Sequence, residues 1–99
     1  MTFGFSREDS GKFLPDYIER QILAFDPFIH LDQQGVGNLI RMALEQSRKV
    51  QKKMGYGICG DHGGDPRSIK FFHRIGIDYV SCSPQLVPVA RLAAAKASI

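Results

Sequence analysis

From Tyr56 to Ala97 two short apolar runs alternate with two amphipathic ones, and this order narrows the possible folds more than any other feature of the chain. Tyr56-Gly57-Ile58-Cys59-Gly60 is too short for a helix and is flanked by glycines, so it reads as a strand. Asp65-Pro66 then marks a helix start: an acceptor side chain for the first free N–H groups, followed by proline where a missing donor costs nothing. Ile69, Phe71, Phe72 and Ile75 supply that helix with a buried face, and Gly76 stops it. Ile77 to Ser83 reads as a second strand, and Pro88 opens a last helix through Ala97 whose Val89, Leu92, Ala93 and Ala97 form a small-residue face. Two strands joined through a helix pair in parallel by a right-handed crossover. Parallel sheets are covered on both faces and have neighbours along their edges, so both strands are predicted to be buried and the chain to be a portion of a larger α/β structure.

The first half is helical in pattern. Residues 1–11 lack periodicity and read as a loop from which Phe3 and Phe5 can pack inward. Phe13, Leu14, Tyr17, Ile18, Ile22 and Phe25 recur at helical spacing, giving one short helix or two over 12–25, with Ser10 or Gly11 as cap and Pro15 in the first turn. After an extended link at Asp26-Pro27-Phe28, the strongest helix carries Val36, Leu39, Ile40, Ala43, Ser47, Val50 and Met54 on one face, with Glu45 four residues before Lys49 and Gly55 as its end. The expectation is one domain over residues 1–99, with two parallel strands and about four helices.

Composition removes several function classes. Apolar residues at 43% and charged residues at 23% belong to a folded globular chain, not a disordered one. The net charge of +3 is concentrated at Arg48, Lys49, Lys52 and Lys53, which read as the solvated C-terminal end of a helix; no nucleic-acid partner is expected. There is no apolar run long enough to cross a membrane and no signal-peptide pattern, so no membrane association is expected. Cys59 and Cys82 lack metal-ligand spacing and no disulfide framework is suggested, which points to a reducing compartment, the cytosol by default, with organelles left open.

The chemistry-bearing residues gather in Gly57-Ile58-Cys59-Gly60-Asp61-His62-Gly63-Gly64-Asp65-Pro66, where a strand turns into a helix. Ligands of α/β folds bind at that end of the strands. Glycines there let the backbone approach a substrate, and the amides leading into the helix at Pro66 could receive an anion. Cys59 is either a small buried strand residue or a reactive thiol. His62 is either a loop histidine bonded to backbone or a functional one, and with Cys59 it raises a thiol-nucleophile reading; a lone thiol acting as general acid and base on carbon is the other chemistry open to it. Asp61 is read as a hydrogen-bond acceptor or orienting group, Asp65 as the helix cap, Cys82 as core, and His30 and His73 as structural or surface residues.

The strings Met1-Thr2-Phe3-Gly4-Phe5-Ser6-Arg7, Gly11-Lys12-Phe13-Leu14-Pro15, Gly57-Ile58-Cys59-Gly60, His62-Gly63-Gly64, Tyr79-Val80-Ser81-Cys82-Ser83-Pro84 and Val87-Pro88 with Ala90-Arg91-Leu92-Ala93-Ala94-Ala95 together resemble the C-terminal end of the pyruvate phosphate dikinase family, within the PEP-utilising enzymes. The likeness spans practically the whole chain. It implies the last part of a (β/α)8 TIM-type barrel that binds pyruvate and phosphoenolpyruvate, with the two strands above as its final two. Cys59 matches the family cysteine that protonates the enolate carbon as pyruvate forms and removes that proton in reverse, and Gly60, Asp61, His62 and Gly63 match the substrate-binding loop beside it. The family carries glutamate where this chain has Asp61, a carboxylate shorter in reach by about an ångström, enough to alter a positioned contact.

The resemblance further implies interconversion of pyruvate, ATP and phosphate with phosphoenolpyruvate, AMP and diphosphate through a phosphohistidine, with Mg2+ held by residues upstream of this chain. The implied partners are the remainder of the dikinase chain and further copies in a homo-oligomer; the implied locations are the cytoplasm or an organelle such as a plastid or glycosome. The competing expectation is a catalytically inactive barrel fragment that self-associates or assembles with another chain, because so small a piece buries too little surface by itself.

Overall fold

The computed structural model describes residues 4–99. The expectation for Phe3 and the first residues of the Met1–Arg7 string therefore lie outside the described residues. The chain forms α1 (Arg7–Ser10), α2 (Leu14–Glu19), α3 (Val36–Val50), β1 (Gly57–Cys59), α4 (Pro66–Ile75), β2 (Tyr79–Ser81) and α5 (Val87–Ala97), with 3-10 turns at Asp61–Gly64 and Pro84–Leu86. It is an α/β unit with two parallel strands, and five helices instead of about four. The extra helix lies in the stretch read as a loop. Ser6 makes it possible, because its hydroxyl accepts from the Asp9 amide at 3.1 Å and satisfies an end that lacks an intrahelical partner. Ser10, expected as a cap, is instead buried and donates back to the Arg7 carbonyl at 2.7 Å. Pro15 does sit in the first turn of α2, which stops at Glu19; Gln21 then takes a left-handed φ of 58°.

α3 is rotated from the expected face. Val36 and Ile40 pack toward Leu31, Phe71 and Phe72, and Leu44 is buried, a stripe at four-residue spacing. Leu39 and Ala43 are exposed, and Val50 is 88% exposed. Gly37 explains the choice of face: a β-carbon there would lie 2.7 Å from Cζ of Phe71, so only glycine lets α3 approach α4 this closely. The helix ends at Val50 rather than near Gly55, since Gln51 is already extended. Glu45 and Lys49 do not pair; Lys49 donates to Gln46. Arg48 is exposed, as expected of a solvated helix end, and it also stacks 5.5 Å from the Tyr56 ring centroid and donates to the Gly76 carbonyl at 2.6 Å, joining the end of α3 to the end of α4.

β1 and β2 run parallel with Gly57 opposite Tyr79, Ile58 opposite Val80 and Cys59 opposite Ser81. Asp78 opens the ladder by accepting from the Tyr56 amide through its carboxylate at 2.8 Å and donating its own amide to the Tyr56 carbonyl at 2.9 Å. The strands are shorter than expected and are not buried. Ile58 and Val80 pack on the Leu31, Phe71 and Phe72 cluster, while Gly57, Cys59, Tyr79 and Ser81 on the other face are exposed. The reason is supply: the described residues provide helices for only one face of the sheet and no neighbour for either outer edge. A second cluster, Ile69 with Ala90 and Ala93, packs α4 on α5, and half-buried Cys82 joins it, in line with its reading as core. Leu92 and Val89, expected on that face, are exposed.

Asp65 caps α4 as expected. Its carboxylate accepts from the Ser68 amide at 2.9 Å and from the Ser68 hydroxyl, and His30 Nδ1 stands 3.0 Å from its other oxygen. Burial pushes the Asp65 pKa up, but the Ser68 hydroxyl, then the Ser68 amide, then His30 outweigh it, and the net shift is downward. A lowered folded-state pKa means stability that is present above the unfolded carboxyl pKa of about 3.9 and is lost as pH falls through the folded value. Asp65→Asn should therefore remove the acid-side loss that sets in below about pH 5 in urea unfolding followed against pH, while Asp65→Ala should cost about 0.5–2 kcal/mol at neutral pH. An unchanged acid limb in Asp65→Asn would assign the dependence to another carboxylate.

Candidate functional site

Cys59 is the last residue of β1, and its thiol is exposed on the uncovered face of the sheet beside Ser81. It is not a buried strand residue, and it faces open space at the C-terminal end of the strand, where α/β folds present ligands. Gly60 follows with φ 125°, ψ −173°, a conformation open essentially only to glycine, and it turns the chain sharply into the 3-10 turn Asp61–Gly64. The turn is seated on β2. The Gly60 amide reaches the Ser81 carbonyl at 3.4 Å, and Gly63 approaches so closely that a β-carbon would press into the same carbonyl. Below Cys59 on the open face, the Tyr79 ring lies across Gly57 where a side chain would collide with it.

The neighbouring side chains are engaged elsewhere. His62 Nε2 lies 2.8 Å from the Pro27 carbonyl; a carbonyl only accepts, so Nε2 carries the proton and donates. Among the described residues no hydrogen bond joins His62 to Cys59, and the thiol-nucleophile pair is not assembled. The histidine is bonded to backbone, as one of its two readings held, but to a segment far off in sequence rather than locally. Asp61 is paired with Arg7, whose guanidinium carbon is 5.5 Å from the Phe28 ring centroid. The Asp61 hydrogen bond, then its charge, raise the Arg7 pKa further, keeping the guanidinium charged. His30 is structural through Asp65, and His73 is on the surface, as expected.

The helix entry at Pro66 does not offer itself to an anion, contrary to expectation. The Asp65 carboxylate already accepts from the Ser68 amide in the first turn of α4, and a second negative group would meet it. A groove of about 670 Å³ opens between α2 and the start of α5, with apolar walls from Leu14, Ile18, Phe28, Leu86 and Val89. Asp61 and Gly64 reach its rim, but Cys59 does not line it. Among the described residues no three His, Cys, Asp or Glu side chains converge as a group that could hold a metal ion. No helix among them is long and apolar enough to cross a membrane.

A thiol at the C-terminal tip of a parallel strand, a glycine turn and a capped helix form one unit. The chain belongs to the PEP-utilising enzymes: the model of their PEP-binding domain matches it over residues 1–99. It is 62% identical over 96 residues to pyruvate, phosphate dikinase 1, chloroplastic, of Arabidopsis thaliana, covering 97% of this chain and 10% of that protein. It is 56% identical over 99 residues to pyruvate, phosphate dikinase of Clostridium symbiosum, covering all of this chain and 11% of the relative. Pyruvate, phosphate dikinase 2 of Zea mays is 57% identical over 96 residues, 97% of this chain and 11% of its own length. The chain thus spans about a tenth of the length of these curated relatives.

Sequence reasoning found the thiol, the glycine turn and the cap. It missed Arg7, because a pairing across 54 positions leaves no local signal, and it missed Tyr79, whose contact with Gly57 follows from strand register.

Proposed function

We propose that the chain forms the last two β/α units of a (β/α)8 barrel in a pyruvate phosphate dikinase, and that Cys59 moves the proton on the substrate carbon. The barrel reading is supported by the one-sided sheet. Helices cover the face of Ile58 and Val80, and the face of Gly57, Cys59, Tyr79 and Ser81 is bare, as on the inner wall of a barrel whose other strands come from the rest of a dikinase polypeptide. The single observation that carries the chemistry is the exposed thiol at the C-terminal end of β1 on that inner face.

In the direction of pyruvate formation, the Cys59 S–H bond breaks, the proton bonds to the terminal enolate carbon, and the thiolate keeps the electron pair. In reverse, the thiolate takes a methyl proton from pyruvate and leaves the enolate. Gly60, Asp61, His62 and Gly63 form the loop beside the reacting carbon, and Gly60, which has open space where a side chain would stand, leaves its backbone free for close approach. The full reaction takes pyruvate, ATP and phosphate to phosphoenolpyruvate, AMP and diphosphate, with magnesium held outside this chain.

The test is to replace the matching segment of the Clostridium symbiosum relative with this sequence and follow pyruvate methyl protons in D2O by NMR. Exchange at a rate within about tenfold of the unmodified relative is expected, since both carry out the same positioned proton transfer. No exchange from a folded chimera overturns the reading. A second reading, an inactive assembly fragment, is favoured by the two unpaired strand edges and the bare face. It gives a 99-residue chain that sediments as a dimer or larger and shows no exchange, and a folded monomer contradicts it.

A further inference from the structure

We infer that Arg7 is a positioning residue: it holds the turn that follows Cys59, and so the wall beside the thiol, against the Pro27–Phe28 segment. The inference rests on the proton-transfer role given to Cys59 above. The turn hangs from Gly60, whose φ of 125° and missing β-carbon place few limits on its swing. Two consecutive side chains of the turn tie it down on two consecutive residues of the first half. Asp61 pairs with Arg7, which stacks on Phe28, and His62 donates to the Pro27 carbonyl at 2.8 Å. The opposite side of the turn rests on the Ser81 carbonyl through Gly63. Cys59 itself is fixed by its pairing with Ser81 in the sheet, so what Arg7 and His62 set is where the turn stands beside the thiol.

Exposure separates a geometric role from a stabilising one. The side chains of Arg7 and Asp61 are 60% and 49% exposed, and ion pairs so solvated add little to folding stability. A loop beside the reacting carbon, however, costs rate steeply when a shift of about 1 Å misplaces the substrate against the thiol. A planar guanidinium suits the task, since it can stack on a ring and pair with a carboxylate in the same plane, which an ammonium cannot.

The experiment uses the full-length chimera and measures pyruvate methyl-proton exchange, with kcat and KM for pyruvate, in Arg7→Met, Asp61→Asn, the double variant and Cys59→Ala. Arg7→Met should slow exchange about tenfold with KM changed less than about twofold. The double variant should be no slower than the slower single one, because both changes remove the same contact. Exchange at the parent rate in Arg7→Met, effects that multiply in the double variant, or a raised KM at unchanged kcat each overturn the positioning role, the last by making Arg7 a substrate ligand. Cys59→Ala keeps the two claims apart. If it retains exchange, the proton-transfer reading fails whatever Arg7 does; if it is silent while Arg7→Met is unaffected, only the positioning fails.

Discussion

Cys59→Ala in a dikinase polypeptide carrying this sequence is expected to lower turnover of pyruvate by at least a hundredfold, within the range of about 10²–10⁴ that a positioned acid or base contributes. The ATP-dependent half of the reaction should proceed as before, because the role proposed for the thiol is confined to the substrate carbon. Cys59→Ser is the sharper control. It keeps the size and a dissociable proton, yet a hydroxyl gives up that proton far less readily than a thiol, so it should be nearly as slow as the alanine variant. Folding offers no competing explanation, since Cys59 is exposed and belongs to neither core cluster. Exposed substitutions of this kind leave stability within about 0.5 kcal/mol. Turnover within a few fold of the parent in both variants would remove the thiol from the chemistry.

Phe72→Ala carries the largest expected effect on stability, a loss of about 3–5 kcal/mol. The ring is 1% exposed and, with Phe71 and Leu31, forms the cluster on which Val36, Ile40, Ile58 and Val80 pack. The cluster in which Phe72 sits therefore connects α3, α4 and both strands. A chain of this size has total stability of about 5–15 kcal/mol at most, and one with a bare sheet face stands at the low end, so the variant should be largely unfolded in water. Urea unfolding of the 99-residue chain, followed by far-ultraviolet circular dichroism, measures the loss. Phe72→Leu, which keeps most of the volume, should recover more than half of it. A loss below about 1 kcal/mol in Phe72→Ala would mean that the centre of the core lies elsewhere.

The two best-read elements were those whose determinants are local. Asp65-Pro66 specified a helix start and Gly76 its end, because capping and a left-handed residue act within a few positions. The same holds for the alternation from Tyr56 onward, which set two strands and their parallel pairing. Errors came where a distant surface chose between faces. α3 offers apolar residues around much of its circumference, and the face selected is the one that lets Gly37 meet Phe71. α1 was missed because four residues carry no period, and only the Ser6 cap and the buried Ser10 define it.

The candidate site divides in the same way. Residue order by itself placed a thiol at a strand end and followed it with glycines, since strand length and turn chemistry are short-range properties. Whether that thiol faced the core or open space was beyond any pattern in three residues, and pairing decided it: the register with β2 put Cys59 on the face that no helix covers. His62 and Asp61 could be named from the sequence, but not what they hold, because Pro27 and Arg7 reach them only once the chain has closed over 35 and 54 positions. Such contacts cost loop-closure entropy that the core around Phe71 and Phe72 offsets, and no local preference encodes them.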